Sequence, residues 1–576
     1  MQPESVMDYV NRLKDTKLAC GKTLMELTTY KGVALWWFAD VAFYYYLFSQ
    51  EYADQCREAG LGRKIGANGL FRALVRRVYY ISDYLFAVIA YLVLLRFNRI
   101  KQVRSLRPED KVILITGEDI EWRTFYTGDR VEPVLSDQFF HAIIRKLNET
   151  GKYRIVSTFP LRCPYIPSIR VIINKCKYWD VLHVPFNLFF RCRIGEERSK
   201  AKHHFRKVWE LLKDDKTLVS LLDLPEDPDR EIRKKIKNYF AYDRPEYVFA
   251  EFAKFISMAE VMLESIRPAV IVIEDEYSVF ERALIVAAKK KNVPCVAIQH
   301  GVIHELHKGY IYQTGEISPD LSVKAPLVPT ADVTAVYGQY HKELLTQAGG
   351  YPENAVVITG QPRYDRMTDL DRESVRSKLI EEWRLDPSKK IVLWTTQCHG
   401  ISDAENKLNF HAVFDSISAI GDVQLIIKQH PGEPERYDTM IREHLEGYSI
   451  DAHIVAKDAD TLGLLAVSDL VLLLNSTTGL EAVALQKPLI VMNLGGQPDI
   501  VNYVQEGVAC GVYRPEDIKP TIEQLLRDDS CLARNREEFI RKYLYRVDGK
   551  AAERVVALIE ECIETGGVRV ARRQRA

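Results

Sequence analysis

Val296-Ala297-Ile298-Gln299-His300-Gly301 reads as a short buried strand that stops abruptly in Gln-His-Gly. A strand end that delivers a histidine and then a glycine is suited to presenting an imidazole to a ligand. The glycine lets the backbone turn sharply or approach a substrate closely. Three later segments extend the pattern: Gly360-Gln361-Pro362-Arg363-Tyr364-Asp365, Lys428-Gln429-His430-Pro431-Gly432 and Asn475-Ser476-Thr477-Thr478-Gly479-Leu480-Glu481-Ala482.

Around these segments the chain alternates buried strands with helices. Apolar runs at Lys111–Gly117, Tyr153–Ser157, Ala269–Ile273, Val293–Ile298, Thr334–Gly338 and Ala355–Thr359 form one series. A second series comprises Lys390–Thr396, Val423–Ile427, His453–Ala456, Leu470–Leu474 and Pro488–Met492. Strands alternating with helices imply parallel sheets. The fold class expected is therefore α/β, with two Rossmann-like domains facing a cleft and an extra N-terminal helical region. The boundaries expected are 1–107 for that region, 108–360 for the first domain with a helical insert at 196–266, 361–547 for the second domain, and 548–576 for a last helix and basic tail.

The 576 residues suffice for two or three domains. Lys+Arg and Asp+Glu both number 79, and a chain without basic excess is not a general nucleic-acid binder. Ten scattered cysteines with no C-x-x-C pair fit a reducing compartment rather than a disulfide framework or zinc ribbon. Met1–Ser5 does not open a signal peptide. Two aromatic-rich apolar stretches, 35–48 and 78–95, mark the N-terminal region, and basic residues between 72 and 107 flank the second. Its uncharged run, Tyr84 to Leu95, is shorter than the ~20 residues a span requires. Contact with a membrane surface through 35–48 and 78–107 is expected, with packing on the core as the alternative. The arginines of the tail, Arg569, Arg572, Arg573 and Arg575, are read as a solvated end or a contact for anionic lipid.

Ligands of open α/β sheets bind beyond the carboxyl ends of the strands, where each motif falls. Ser476, Thr477 and Thr478 combine hydroxyls with free N–H groups at a helix start, which suits a nucleotide phosphate; plain N-capping is the alternative. Glu481 is placed to accept from ribose hydroxyls or to offset the helix dipole. Lys428 and His430 face the same mouth and suit phosphate or sugar hydroxyls, with Thr395, Thr396 and Gln397 beside them. Arg363, at the join of the two series, reaches towards an anion or forms a surface ion pair. Acid–base candidates belong to the first domain: His300, the carboxylates Glu274, Asp275 and Glu276, and similarly Glu118 and Asp119. His300, His304 and His307 lack a matching carboxylate or cysteine, so no metal is expected.

The order Gln-His-Gly, Gly-x-Pro-Arg-x-Asp, Lys-x-His-Pro and Asn-Ser-Thr-Thr-Gly-x-Glu-Ala resembles the GT-B glycosyltransferases of surface polysaccharide synthesis. That group contains bacterial capsule transferases of Kdo and sialic-acid type and the CDP-glycerol glycerophosphotransferases. The resemblance covers roughly residues 260–515. It implies a nucleotide held by the C-terminal domain through His430, Ser476, Thr477 and Thr478, and His300 near the reacting centre. It implies a nucleotide-sugar donor, a lipid-linked or growing surface glycan as acceptor, no cofactor, and a cytoplasmic enzyme peripheral to the inner face of the cell membrane. Gln299 stands where the glycerophosphotransferases usually carry Trp. Glycosyl transfer is the leading expectation. Transfer of a polyol phosphate from a CDP-linked donor, a UDP-N-acetylglucosamine 2-epimerase-like activity and a non-catalytic scaffold in glycan assembly are the alternatives.

Overall fold

The computed structural model describes residues 3–41, 44, 81–94 except 83, 106, 109–117, 122–127, 130–161, 166–176, 181–222, 245–397, 401–431, 433, 435–496, 499 and 501–566. Two short strands, β1 (Thr29–Tyr30) and β2 (Val33–Ala34), pair antiparallel near the start. The next strands are β3 (Val112–Thr116), β4 (Trp122–Thr127), β5 (Arg130–Asp137), β6 (Arg154–Phe159), β7 (Leu182–Pro185), β8 (Val270–Ile273), β9 (Cys295–Ile298), β10 (Val333–Val336) and β11 (Val356–Ile358). Seven of them form a sheet in the order β11-β10-β9-β8-β3-β6-β7, all pairs parallel, while β4 and β5 make a separate antiparallel hairpin. Every residue of β3, β8, β9 and β10 is buried. Strands covered on both faces read as unbroken apolar runs, which is why they stand out in the sequence.

The second sheet comprises β12 (Lys390–Thr395), β13 (Val423–Lys428), β14 (Ala452–Val455), β15 (Leu470–Leu473), β16 (Leu489–Met492) and β17 (Cys510–Val512). Its order is β14-β13-β12-β15-β16-β17, again all parallel. Both sheets follow the doubly wound order, in which the chain reverses direction across the sheet beside the first strand. The reversal lies between β3 and β8 in one domain and between β12 and β15 in the other. Ligands of such sheets bind at the reversal points.

The sequence does not announce the β4–β5 hairpin, because Glu132 and Pro133 interrupt any apolar run there. β7 and β17 are also absent from the expected series. The helix over Val279–Lys291 starts at Ser278, which caps it by accepting from the Glu281 N–H.

The first aromatic stretch corrects the membrane expectation where it is described. Leu35, Trp36, Trp37, Phe38 and Tyr44 are buried in the core of the first domain. Trp37 Nε1 donates to the Pro326 carbonyl at 2.8 Å. Asp40 pairs with Arg282 at 2.7 Å, both side chains fully enclosed. A segment apolar on all sides is stabilised by core rather than by an interface. Residues 42, 43 and 45–48 lie outside the described residues.

The second stretch behaves differently. In the helix over 84–94, Ala87, Ala90 and Leu94 pack on Phe159, Leu161, Val171 and Ile172. Ile81, Leu85, Ile89 and Leu92 point outward, each more than half exposed. The basic flanks, the C-terminal arginines, Glu118 and Asp119 lie outside the described residues. Among the described residues no helix is long and apolar enough to cross a membrane.

The last helix, Ala551–Thr565, returns to the first domain, where Ala552, Val555, Val556 and Ile559 join Ile113, Phe140 and Val270 in one apolar cluster. Asp365 receives its start, accepting from the N–H groups of Ala551 (2.8 Å) and Ala552 (2.7 Å).

Removing one partner of a buried ion pair leaves the other charge uncompensated and costs about 3–5 kcal/mol. Asp40→Ala is therefore expected to lower the thermal midpoint by several degrees. A midpoint unchanged from wild type would show that residues 3–44 contribute nothing to the stability of the first domain.

Candidate active-site cleft

A cavity of about 260 Å³ opens at the reversal point of the second sheet and is roofed by the other domain. The ends of β12 (Thr395, Thr396, Gln397), β13 (Lys428, Gln429, His430, Pro431) and β15 (Asn475, Ser476, Thr477, Thr478, Glu481) form its floor. Arg363 and Arg366 enter from the segment joining the domains, and Arg123, Thr124 and Phe125 from the β4–β5 hairpin. All seven residues read as donor-binding meet here: Arg363, Lys428, His430, Ser476, Thr477, Thr478 and Glu481.

Local bonding holds the floor. The Asn475 N–H donates to Gln397 Oε1 at 3.2 Å, tying together the two strand ends that flank the crevice. Ser476 Oγ accepts from the Thr478 N–H (3.2 Å) and donates to Thr478 Oγ1 (3.0 Å), whereas the Thr477 side chain caps nothing. The Tyr503 hydroxyl donates to the Ser476 carbonyl at 2.8 Å. Its ring lies so close to Gly479 that a Cβ there would stand 2.4 Å from Tyr503 Cζ, so this position admits only glycine. After β13, the Glu433 N–H donates to the His430 carbonyl at 3.0 Å and folds the His-Pro turn, leaving His430 exposed at the mouth.

Charge in the cavity is asymmetric. Arg123, Arg363, Arg366 and Lys428 face Asp460 and Glu481. Arg366 grips Asp460 with both Nη atoms, at 3.0 and 2.7 Å, and donates to the Tyr126 carbonyl at 3.1 Å; Asp460 also accepts from the Tyr126 N–H at 3.0 Å. The hairpin is thereby clasped to the second domain. Arg363 is ion-paired with Glu481, so these two expected ligand contacts bind each other. Burial opposes the Arg363 charge, but Glu481 outweighs it and holds the guanidinium firmly protonated. Lys428 Nζ donates to the carbonyls of Gln429 (2.8 Å) and Lys457 (2.6 Å). Burial, and then the charge of Arg123, push its pKa down to about 8. Two cations crowded in this way favour an anion between them.

The acid–base candidates divide. His300 sits at the seam: its neighbour Gly301 is so near the Ser-Thr turn that a Cβ there would stand 4.0 Å from Thr477 Cγ2. The Phe139 ring meets His300 edge-on at 6.3 Å and carries the Arg363 guanidinium over its face at 5.1 Å. Gln299, fully buried, donates to the Gly301 carbonyl (2.7 Å) and accepts from the Tyr337 N–H (2.9 Å), which fixes the His-Gly turn. Nothing in the sequence marks that role. Neither His300 nor the three carboxylates are among the residues that line the cavity. Asp275 accepts from the N–H groups of Tyr277 and Ser278, at 3.0 and 2.9 Å. Glu274, half-buried, donates its N–H to Thr116 Oγ1 at 3.3 Å. Glu276 is wholly enclosed and accepts from the Ala331 N–H (2.7 Å), Thr334 Oγ1 (2.9 Å) and the Tyr351 hydroxyl (3.4 Å). Its position fits an internal strut between β8 and β10 rather than a group that meets substrate.

Residues 193–561, more than half of the chain, match the family model described as CDP-Glycerol:Poly(glycerophosphate) glycerophosphotransferase. The chain is 28% identical over 204 residues to a processive diacylglycerol beta-glucosyltransferase of Bacillus licheniformis. That match takes in 34% of this chain and 49% of the relative, so the chain spans about half the length of the curated relative it matches. Among solved structures, the UDP-GlcNAc 2-epimerase of Neisseria meningitidis aligns with a TM-score of 0.47 at 13% identity, over 78% of this chain and 100% of that one. The wall teichoic acid polymerase TagF aligns at 0.45 and 12%, over 86% and 99%. The chain belongs to the glycerophosphotransferase family, and its two parallel sheets make a pair of Rossmann-like domains.

Burial pushes the Glu276 pKa up to about 7, against the pull of its three donors. Folding therefore takes up a proton between the ordinary value of 4.5 and about 7, and the stabilisation this carries is lost as pH rises through that window. The thermal midpoint of wild type relative to Glu276→Gln should fall from pH 4.5 to pH 8. A flat difference would show that Glu276 does not titrate in this range.

Proposed function

We propose that this chain transfers an activated group from a nucleotide-linked donor to a hydroxyl of a growing cell-surface glycan. The observation that carries the reading is the cation-rich cavity at the reversal point of the second sheet, walled by both domains. A nucleotide phosphate there meets the cationic side chains that line the cavity and takes hydrogen bonds from the Ser-Thr turn. His300, across the seam, serves as the base that removes the acceptor's proton. Closure of the two domains excludes water and limits hydrolysis of the donor. The donor brings the activated group, and the reading assigns no resident cofactor.

Two transferred groups remain. A sugar follows from the motif order and from the glucosyltransferase relative. A polyol phosphate from a CDP-linked donor follows from the family itself. The product separates them: a glycosidic bond in one case, a new phosphodiester in the other.

His300→Ala and His430→Ala are each expected to reduce turnover by roughly 100-fold or more while thermal unfolding stays cooperative. Full activity in both would leave a scaffold as the better description. Nucleotide-linked compounds of the UDP, CDP, CMP, GDP and dTDP series, added one at a time, should raise the thermal midpoint of wild type for one base. His430→Ala should weaken that response.

The exposed apolar face of the helix over 84–94 suits the surface of an anionic membrane, at the cytoplasmic side where a lipid-linked acceptor would be presented. Ile169 and Ile173, on the helix packed beside it, extend the face. Wild type should co-sediment with vesicles containing anionic lipid, and Leu85→Glu with Ile89→Glu should abolish this. Equal sedimentation of the double variant would remove the face from the reading.

A further inference from the structure

The carboxylate run after β8 ends in a tyrosine that the proposed chemistry does not yet use. Asp275 accepts from the backbone N–H of Tyr277 and of Ser278, so it fixes the turn from which the Tyr277 side chain projects. That side chain brings its hydroxyl to 3.3 Å from His300 Nε2. The ring is held by shape: a Cβ on Gly309 would stand 2.5 Å from Tyr277 Cδ1, so Gly309 is the residue that lets the ring lie flat on this backbone. His307 and Tyr310 pack edge-on against it, with centroids 5.2 and 5.5 Å away.

His300 Nδ1 is enclosed and has no hydrogen-bond partner among the described residues. Proton exchange by this imidazole therefore takes place at Nε2, the nitrogen that Tyr277 addresses. A hydroxyl both donates and accepts. It donates to the lone pair of the neutral ring and accepts from Nε2–H once the ring is charged, so one group serves both states without the imidazole turning. His304 and His307 stand nearby, and burial holds both well below the usual imidazole range, His304 down to about 4. Both remain neutral and add no repulsion when His300 becomes charged.

We propose that Tyr277 is a positioning residue for His300, its hydroxyl holding Nε2 in the orientation that receives the acceptor's proton. The proposal rests on the reading of His300 as the base. In that step the acceptor hydroxyl takes the place of the Tyr277 O–H at the Nε2 lone pair, and the acceptor O–H bond breaks as N–H forms at Nε2. The acceptor oxygen bonds to the donor's reacting atom, and the bond to the nucleotide phosphate breaks, its electron pair leaving with the nucleotide. The imidazolium, held by the Tyr277 oxygen, later returns its proton to water.

The experiment compares turnover in the full chain of Tyr277→Phe, His300→Ala, the double variant and Gly309→Ala. Phenylalanine keeps the ring packing and removes only the hydroxyl. Tyr277→Phe should lower kcat roughly 10- to 100-fold, the range of a misplaced general base, with the donor KM within about twofold of wild type. The double variant should be no slower than His300→Ala alone, because the hydroxyl acts through the imidazole. Gly309→Ala, which keeps the hydroxyl but displaces the ring, should lower kcat in the same way. Wild-type turnover in Tyr277→Phe beside an inactive His300→Ala overturns the proposal and spares the base reading. Wild-type turnover in His300→Ala overturns both. Multiplying losses in the double variant would show that Tyr277 acts independently of His300, which also overturns it. Should Tyr277→Phe unfold, unchanged turnover in a folded Gly309→Ala decides against the proposal.

Discussion

The ion pair between Arg363 and Glu481 joins the two halves of the cleft. Arg363 stands on the segment between the domains and Glu481 on the first turn of the helix that follows the Ser-Thr turn. Both are mostly enclosed, so neither charge tolerates loss of the other. Phe139 beneath the guanidinium and His300 beside Phe139 continue the contact into the first domain. The candidate base and the candidate phosphate site are thus held in register through three side chains. A change in the angle between the domains must pass through this contact.

The same economy explains the Gly-x-Pro-Arg-x-Asp segment. Gln361 accepts from the Arg363 N–H at 3.2 Å and donates to the Tyr337 hydroxyl at 2.6 Å, fixing the turn on which Arg363 rides. Asp365 receives the last helix, which crosses back onto the first domain. The segment is a hub where the chain passes between domains twice. Its arginine reaches the cavity because the residues around it are spent on architecture.

Much of this was legible in the sequence, and the division is physical. Strands buried on both faces write themselves as apolar runs, so both sheets and most of their strand ends could be located. The Ser-Thr turn and the His-Pro turn lie at strand ends of one sheet, so their meeting follows from topology alone. What could not be read depends on pairing at a distance. Arg123 enters on a hairpin of the other domain, and nothing local marks it. Gln299, expected only as a departure from a family pattern, spans to Tyr337 and locks the His-Gly turn. Glu276 shares a strand end with Asp275, yet its neighbours from β10 and beyond enclose it. The apolar stretches at 35–48 and 78–95 look alike in composition. Only the partners supplied by the fold, Asp40 with Arg282 in one case and a single packed face in the other, separate them.

The clasp on the hairpin bears on how such a cleft works. Asp460 caps its own helix by accepting from the Leu462 N–H at 3.2 Å, and it also holds Arg366 and the Tyr126 backbone. A carboxylate so committed keeps Phe125 against the Arg366 guanidinium, at 4.9 Å, and the hairpin that carries Arg123 at the cavity. The hairpin brings the charge of Arg123 to bear on the buried Lys428 ammonium and lowers its pKa, while Glu433, Asp458 and Asp460 pull the other way. An anion in the cavity would favour both cations, so the hairpin that clasps the two domains also carries a charge that a phosphate would offset.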